Sequence, residues 1–391
     1  TITGGLVARD TDLMVAALRA LGATIDVSGD VWTVTPGPVA PAGSVDGGLA
    51  GTVLRFVPPV AALAAGPTTF HGDPAAAARP VAPLLDGLAQ LGAQVAGTAL
   101  PFTVAGPVTG RTATIDASGS SQFVSGLLLA AARYPEGIEL RHEGPPVPSY
   151  PHIEMTIAAL RARGVAVFSY LRRTPRLATA GAEALVPTWW RVAPGPITAA
   201  AEAIEPDLTT AAVFLAAALV KGGAVTVPAW PATSTQPGLR TPDILTQFGG
   251  AWRRDEADGS VTVSGDGRLM GADLDLHSTS ELTPVVAALA ALAGTPTTIR
   301  GVAHIRGHET DRLAALAGNI SALGGRVTET ADGLRCLPGP LHGGVWPTHG
   351  DHRLAHAGAL IGLRVPGVVL DDVTVVAKTM PEFARVWKGL R

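Results

Sequence analysis

Arginine, histidine, serine and glutamate recur in this sequence at one kind of place, the polar turn that opens an otherwise apolar helical stretch. Gly51 and Arg55 lie in "GLAGTVLR", Arg79 in "ARP", and Ser120, Ser121 and Gln122 in "SGSSQ". Ser149 and Glu281 follow, then His308, Glu309 and Arg312 in "RGHETDR", Asp351, His352 and Arg353 in "GDHR", and Lys378 in "AKTMP". A helix start offers unpaired N–H groups and the positive dipole end, so it favours anions. Arginine forks match carboxylate and phosphate oxygens, and carboxylates beside them can carry protons. Taken singly, each motif has a plainer use, since Ser or Asp at a helix start is ordinarily a cap. "GLAGT" lacks the Lys-Ser/Thr ending of a nucleotide loop, and no histidine pair has metalloprotease spacing, so no metal is expected. Recurrence of the same residue types at the same topological position is what points to an anion site.

The elements that carry these turns form an internal repeat of roughly 70–85 residues. One helix type is amphipathic and ends in a glycine cap: "DTDLMVAALRALGA", "RPVAPLLDGLAQLGA", "HIEMTIAALRARGV", "TPDILTQFGGA", "TDRLAALAGNISALGG" and "MPEFARVWKGLR". Most copies lead into two short strands such as "TIDVS" and "VWTVTPG". A second helix type is apolar on nearly every face and is expected to be buried, as in "SGSSQFVSGLLLAAARYPEG" and "SELTPVVAALAALAG". The unit is therefore strand, helix, two strands, buried helix, strand. Six first helices stand against five second helices. "TITGG" thus reads as the last strand of a unit whose buried helix belongs ahead of Thr1.

An α/β fold of two lobes follows, 1–203 and 204–391, with three repeats in each and the first repeat incomplete. "APGPITAAAEAIEPD" is the expected hinge. "SYLRRTPRLATAGAEALVPTWW", near 169–188, is a lengthened connection between hairpin strands. The net charge of −3 gives no footprint for nucleic acid or an anionic membrane, and no apolar run is long enough to span a bilayer. Only Lys221, Lys378 and Lys388 are lysines, so local clusters of arginine must supply cationic sites. Cys336, the single cysteine, excludes an internal disulfide, and no basic-then-apolar leader begins the sequence; a cytoplasmic setting is expected.

The motifs "GLAGTVLRF", "ARPVAPLLDGLAQLGA", "SSQFVSGLLLAA", "HETDRL", "DHRLAHAGA" and "AKTMPEF" resemble, in order, those of the 5-enolpyruvylshikimate-3-phosphate synthases. The resemblance runs from Thr1 to Arg391 and implies a monomer of two three-repeat lobes that close over substrate. It also implies transfer of the enolpyruvyl group of phosphoenolpyruvate to the 5-hydroxyl of shikimate 3-phosphate, with release of phosphate, in aromatic amino-acid biosynthesis. These two small molecules are the implied partners, and no cofactor is implied. Phosphoenolpyruvate is then expected on Gly51, Arg79, Gln122, Arg312, Arg353 and Lys378. Shikimate 3-phosphate is expected on Ser120, Ser121, Gln122, Ser149, Glu281 and His308. Glu281 is the implied general base at the 5-hydroxyl, while Glu309 and Lys378 are implied beside the phosphoenolpyruvate methylene and in catalysis. The inhibitor glyphosate is implied at the phosphoenolpyruvate position, where Gly51 leaves room that a side chain would fill; Gly51→Ala is expected to weaken glyphosate more than phosphoenolpyruvate.

Some residues depart from the family pattern. Glu281 stands where many members have Asp, His152 where a Tyr often lies, and His308 where a Lys is common. The family also carries a Gly-Ser-Lys-type turn and an arginine on its first buried helix, so the stretch from Thr1 alone is expected to be impaired. Two other readings compete. UDP-N-acetylglucosamine enolpyruvyl transferase shares the repeats, but usually has a Cys just before the position of Arg79, where this sequence has "HGDPAAAARP". A non-catalytic, ligand-binding relic is the other.

Overall fold

The computed structural model describes residues 1–175 and 183–390, and the chain divides into two compact units, Thr1–Ile204 and Glu205–Arg391. The division falls one residue beyond the expected 203/204. The middle of the long hairpin connection, residues 176–182, lies outside the described residues.

The first unit runs β1 (Ile2–Thr3), α1 (Arg9–Ala20), β2 (Thr24–Ser28), β3 (Val31–Thr35), β4 (Gly43–Asp46), α2 (Gly51–Ala61) and β5 (Pro67–His71). It continues with α3 (Ala82–Gln90), β6 (Gln94–Ala96), β7 (Phe102–Ala105), β8 (Thr112–Ile115), α4 (Ser121–Ala131) and β9 (Ile138–His142). It closes with α5 (Pro151–Ala162), β10 (Val167–Pro175), β11 (Glu183–Val192) and β12 (Glu202–Ala203). The second unit holds α6 (Leu208–Lys221), β13 (Gly223–Val227), α7 (Thr241–Thr246), β14 (Ala251–Arg254), β15 (Val261–Gly265), β16 (Asp273–Asp275), α8 (Thr283–Leu292) and β17 (Thr297–Arg300). Then come α9 (Arg312–Ala322), β18 (Arg326–Thr330), β19 (Gly333–Leu337), β20 (Gly344–Trp346), α10 (His352–Gly362), β21 (Val368–Leu370) and α11 (Phe383–Lys388).

The repeat seen in the sequence is a repeat of sheets. In β4-β5-β7-β6, the buried helix α2 joins two parallel strands and a hairpin follows antiparallel to them. The orders β10-β11-β9-β8 and β16-β17-β19-β18 are the same arrangement. A parallel pair needs a crossover of this kind, and the crossover brings the start of the buried helix to the carboxyl end of the strand before it. Polar helix starts are therefore gathered on one rim while the helix bodies enter the core. In the first unit Val53 and Val57 of α2 meet Phe123 and Leu127 of α4, all almost wholly buried. In the second, α6, α8 and α10 pack together through residues such as Val213, Leu289, Leu354 and Leu360. Each such side chain contributes about 1.5–3 kcal/mol on burial.

One sheet departs from chain order. β1 has β3 on one side and, on the other, the parallel strand β12 from about two hundred residues later, with Ile2 opposite Glu202. The "EA" pair, which the sequence places in a hinge, is thus the first strand of the sheet that contains "TITGG". The second unit's sheet β13-β15-β14 has three strands and β20-β21 has two. "MPEFARVWKGLR", read as a full helix, yields only the six-residue α11, and "TPDILTQFGGA" only the six-residue α7.

Candidate active site

Most residues singled out in the sequence sit at or close to a helix start, with Arg55 one turn inside α2. Gly51 is the first residue of α2, and Ser120 caps α4, its hydroxyl accepting from the Gln122 N–H at 3.2 Å. Ser149 lies two residues before α5, buried, in the left-handed region at φ 49°. A non-glycine residue costs of order 1–3 kcal/mol there and stays only where its surroundings hold it.

Arg79 follows a short 3-10 turn and folds back over the start of α2, with Nη1 donating to the Leu49 carbonyl at 2.9 Å. A Cβ on residue 51 would lie 2.7 Å from its Nη2. The space that glycine leaves open is therefore the seat of the Arg79 fork. Arg55, one turn along α2, is 4% exposed and donates to Gln122 Oε1 at 2.7 Å and to the Pro80 carbonyl at 3.0 Å. It stands 5.4 Å above the Phe123 ring. One buried cation thus ties the Arg79 turn to the start of α4.

The second unit gathers Glu281, His308, Glu309, Arg312, Arg353 and Lys378 into one ionic cluster, together with Asp351. Arg312 opens α9 and its side chain is 1% exposed. Its Nε and Nη2 donate to Asp351 at 2.7 and 3.3 Å, and Nη1 donates to Glu281 at 2.9 Å and to His308 Nδ1 at 2.9 Å. Nη2 also reaches Glu309 at 2.8 Å. A guanidinium has five N–H groups, and here all five are engaged. Arg353 Nε pairs with Glu281 at 2.7 Å, and Lys378 pairs with Glu309. Asp351 is wholly buried and also caps α10 through the Arg353 N–H at 2.8 Å.

Burial would raise the Glu281 carboxyl, but Arg312 and Arg353 beside it override that and hold it well below the usual carboxylate range. Burial likewise opposes charge on Arg312, while Asp351, Glu309 and Glu281 push its pKa well above its ordinary value. Glu281 and Arg312 are therefore both held in their charged forms, with arginines positioned to stabilise anionic groups and carboxylates positioned beside them.

Asp371 braces this cluster from behind, accepting from the Thr348 N–H and hydroxyl at 2.9 Å each and so fixing the turn before Asp351. Sequence reasoning missed it, because an Asp in "LDDVT" looks like any turn aspartate. It singled out Arg55 and Asp351 but did not give them their connecting roles.

Behind the cluster α10 buries His352 and His356, the latter against Phe383 with centroids 4.7 Å apart and the rings tilted by 34°. Burial, helped by Arg353, pushes the His356 pKa from 6.5 down to about 3. Its folded pKa thus lies below the unfolded value. Stability is then full above pH 6.5 and falls as pH drops towards 3, by about 1.4 kcal/mol per pH unit. His356→Met is expected to lose about 2 kcal/mol less than the native protein between pH 7 and pH 5. Urea unfolding at the two pH values measures this, and parallel losses in both proteins would reject it.

Comparison with known proteins identifies the family. The family model of EPSP synthase (3-phosphoshikimate 1-carboxyvinyltransferase) matches residues 1–387. Two structures of EPSP synthase from Acinetobacter baumannii are similar, at 23% and 22% identity with TM-scores of 0.76 and 0.74; each comparison covers 99% of this chain and 89% of the other. The enolpyruvyl transferase NikO from Streptomyces tendae is similar at 19% identity and a TM-score of 0.69, over 100% of this chain and 88% of that one. These likenesses establish a shared fold, and the family match over 387 of 391 residues goes further. The chain belongs to the EPSP synthase family, and its activity is transfer of the enolpyruvyl group of phosphoenolpyruvate to shikimate 3-phosphate.

Proposed function

We propose that Arg79, Gln122, Arg353 and Lys378 hold phosphoenolpyruvate, that Ser120, Ser121, Gln122 and Ser149 hold shikimate 3-phosphate, and that Glu281 accepts the proton of the 5-hydroxyl. Glu309, paired with Lys378, moves the proton at the phosphoenolpyruvate methylene. His308 borders shikimate 3-phosphate beside Glu281. The observation that carries this assignment is the ionic cluster at the starts of α9 and α10, where three cations share three carboxylates. An arriving carboxylate or phosphate exchanges with Glu281 and Glu309 on those cations. Relieved of Arg353, Glu281 becomes more basic while phosphoenolpyruvate is bound, which matches the base to the moment it is needed. Arg312 meets the substrate only by releasing one of its four partners, so its main part is to hold the carboxylates in place. Phosphoenolpyruvate and shikimate 3-phosphate are the partners in this assignment, and the net charge of −3 with no basic excess gives no footprint for a nucleic acid.

Gly51→Ala tests the Arg79 assignment. The added methyl group displaces the mobile end of a side chain and not the backbone, so the fold is kept while the fork moves. Loss of one charge-assisted contact raises the KM for phosphoenolpyruvate by about tenfold or more. Glyphosate, if it shares the fork, loses affinity alongside, in place of the selective loss that an open space over Gly51 suggests. A KM within twofold of native would remove Arg79 from the phosphoenolpyruvate site.

A further inference from the structure

His142 ends β9 and is 6% exposed, outside the set of residues assigned above. Its Nδ1 accepts from the Ala117 N–H at 3.1 Å, so Nε2 carries the proton of the neutral ring and donates it to the Pro145 carbonyl at 2.8 Å. Each contact leads to a different part of the shikimate 3-phosphate site. Ala117, held at its N–H by the imidazole, accepts from the Ser120 N–H through its carbonyl at 3.1 Å. The ring therefore sets the height of the turn from which Ser120, Ser121 and Gln122 enter α4. On the other side Pro145 begins "PPVPS", a stretch stiffened by Pro145, Pro146 and Pro148 that delivers Ser149. Ser149 then carries a left-handed φ of 49° and starts the turn into α5, its carbonyl accepting from the His152 N–H at 3.0 Å. A conformation of that kind needs support from outside the residue.

The backbone adds a tie between the two segments at this point, the Glu143 N–H to the Ile115 carbonyl at 3.1 Å. Beyond it the strands β8 and β9 part, and the imidazole bridges the gap between them. From this geometry we infer that His142 is a positioning residue for shikimate 3-phosphate: one ring sets the spacing between the Ser120–Gln122 turn and Ser149. The inference rests on the assignment of those serines to shikimate 3-phosphate. Two serine-bearing segments that must grasp one ligand are sensitive to their separation, because a shift of the order of 1 Å in either removes hydrogen bonds from the site.

Three variants separate this role from simple packing. His142→Phe keeps the ring shape and removes both hydrogen bonds. His142→Asn places an oxygen near the Nδ1 position, and His142→Gln places an amide near Nε2, so each retains one of the two ties. Binary affinity for shikimate 3-phosphate, followed by calorimetry, is expected to fall about tenfold in His142→Phe and by a smaller factor in the Asn and Gln variants. The KM for phosphoenolpyruvate at saturating shikimate 3-phosphate should rise by a clearly smaller factor, since of its assigned contacts only Gln122 stands on this turn. Ser149→Ala serves as the control for the site itself. A native affinity in His142→Phe alongside a weakened Ser149→Ala would overturn the inference and leave the site assignment standing. A native affinity in Ser149→Ala would overturn the assignment together with the inference. Should His142→Phe fail to fold, the Asn and Gln variants carry the test: equal loss of both substrates in step with a lowered Tm would show a purely structural histidine.

Discussion

Glu281→Gln is expected to lower kcat by about 10²–10⁴-fold while leaving the fold intact. The amide is nearly isosteric with the carboxylate, and its oxygen can still accept from Arg312 and Arg353, which lie 2.9 and 2.7 Å from Glu281 Oε2. What it cannot do is take up a proton. The two guanidiniums hold the resting Glu281 carboxyl well below the usual range, so it is ionised before substrate arrives and gains basicity when Arg353 turns to phosphoenolpyruvate. The loss should therefore fall on turnover and not on stability. Phosphate release at saturating substrates, with circular dichroism as a control, measures it. A kcat within tenfold of native would take Glu281 off the reaction path and leave the proton to another group.

The second large effect concerns stability. Arg312→Leu is expected to destabilise the second unit by about 3–5 kcal/mol, because it strands charges inside the protein. Asp351, wholly buried, loses its only guanidinium contact among the described residues, and Glu281 and Glu309 lose a shared partner. Adding Asp351→Asn to that variant should restore much of the loss, since the deepest unpaired charge is gone and asparagine still caps α10. Turnover should not return, as the carboxylates have lost the fork that orients them. Urea unfolding of the single and double variants gives both values. A cost below about 1 kcal/mol in Arg312→Leu would show that the carboxylates find other partners.

Much of this site could be read from the residues alone. Polar helix starts in an apolar chain stand out because a buried helix has few other reasons to begin with Arg, His and Glu, and the repeat revealed that they share a position. The ion-pair pattern was not legible. That Arg312 would use all its N–H groups on its own chain depends on α9 and α10 starting side by side, which no spacing between "HETDR" and "GDHR" encodes. Gly51 gave the right warning for a different reason: its missing side chain makes room for Arg79, 28 residues on and outside any regular period. His142 is hidden more completely. In "IELRH" it continues an ordinary strand alternation, and its role depends on two turns meeting around it. The fold was readable where helices were long and periodic, as in α4 or α8. It was least readable at β12, where two residues in an alanine-rich stretch carry no strand signature of their own.

That short strand bears on how the protein is made. Pairing Glu202 with Ile2 closes a contact across nearly the whole first unit, so the sheet that holds β1 cannot be completed until about two hundred residues beyond β1 have been synthesised. The three-residue to thirty-residue contacts of the hairpins and crossovers are available much earlier and are entropically cheaper to form. On the ribosome the outer edge of β1 must therefore wait without its parallel partner through most of the translation of its own unit. Such a delayed closure sets a natural length limit on any fragment intended to fold independently: one that stops short of Ala203 deprives β1 of its parallel neighbour and presents a ready edge for aggregation.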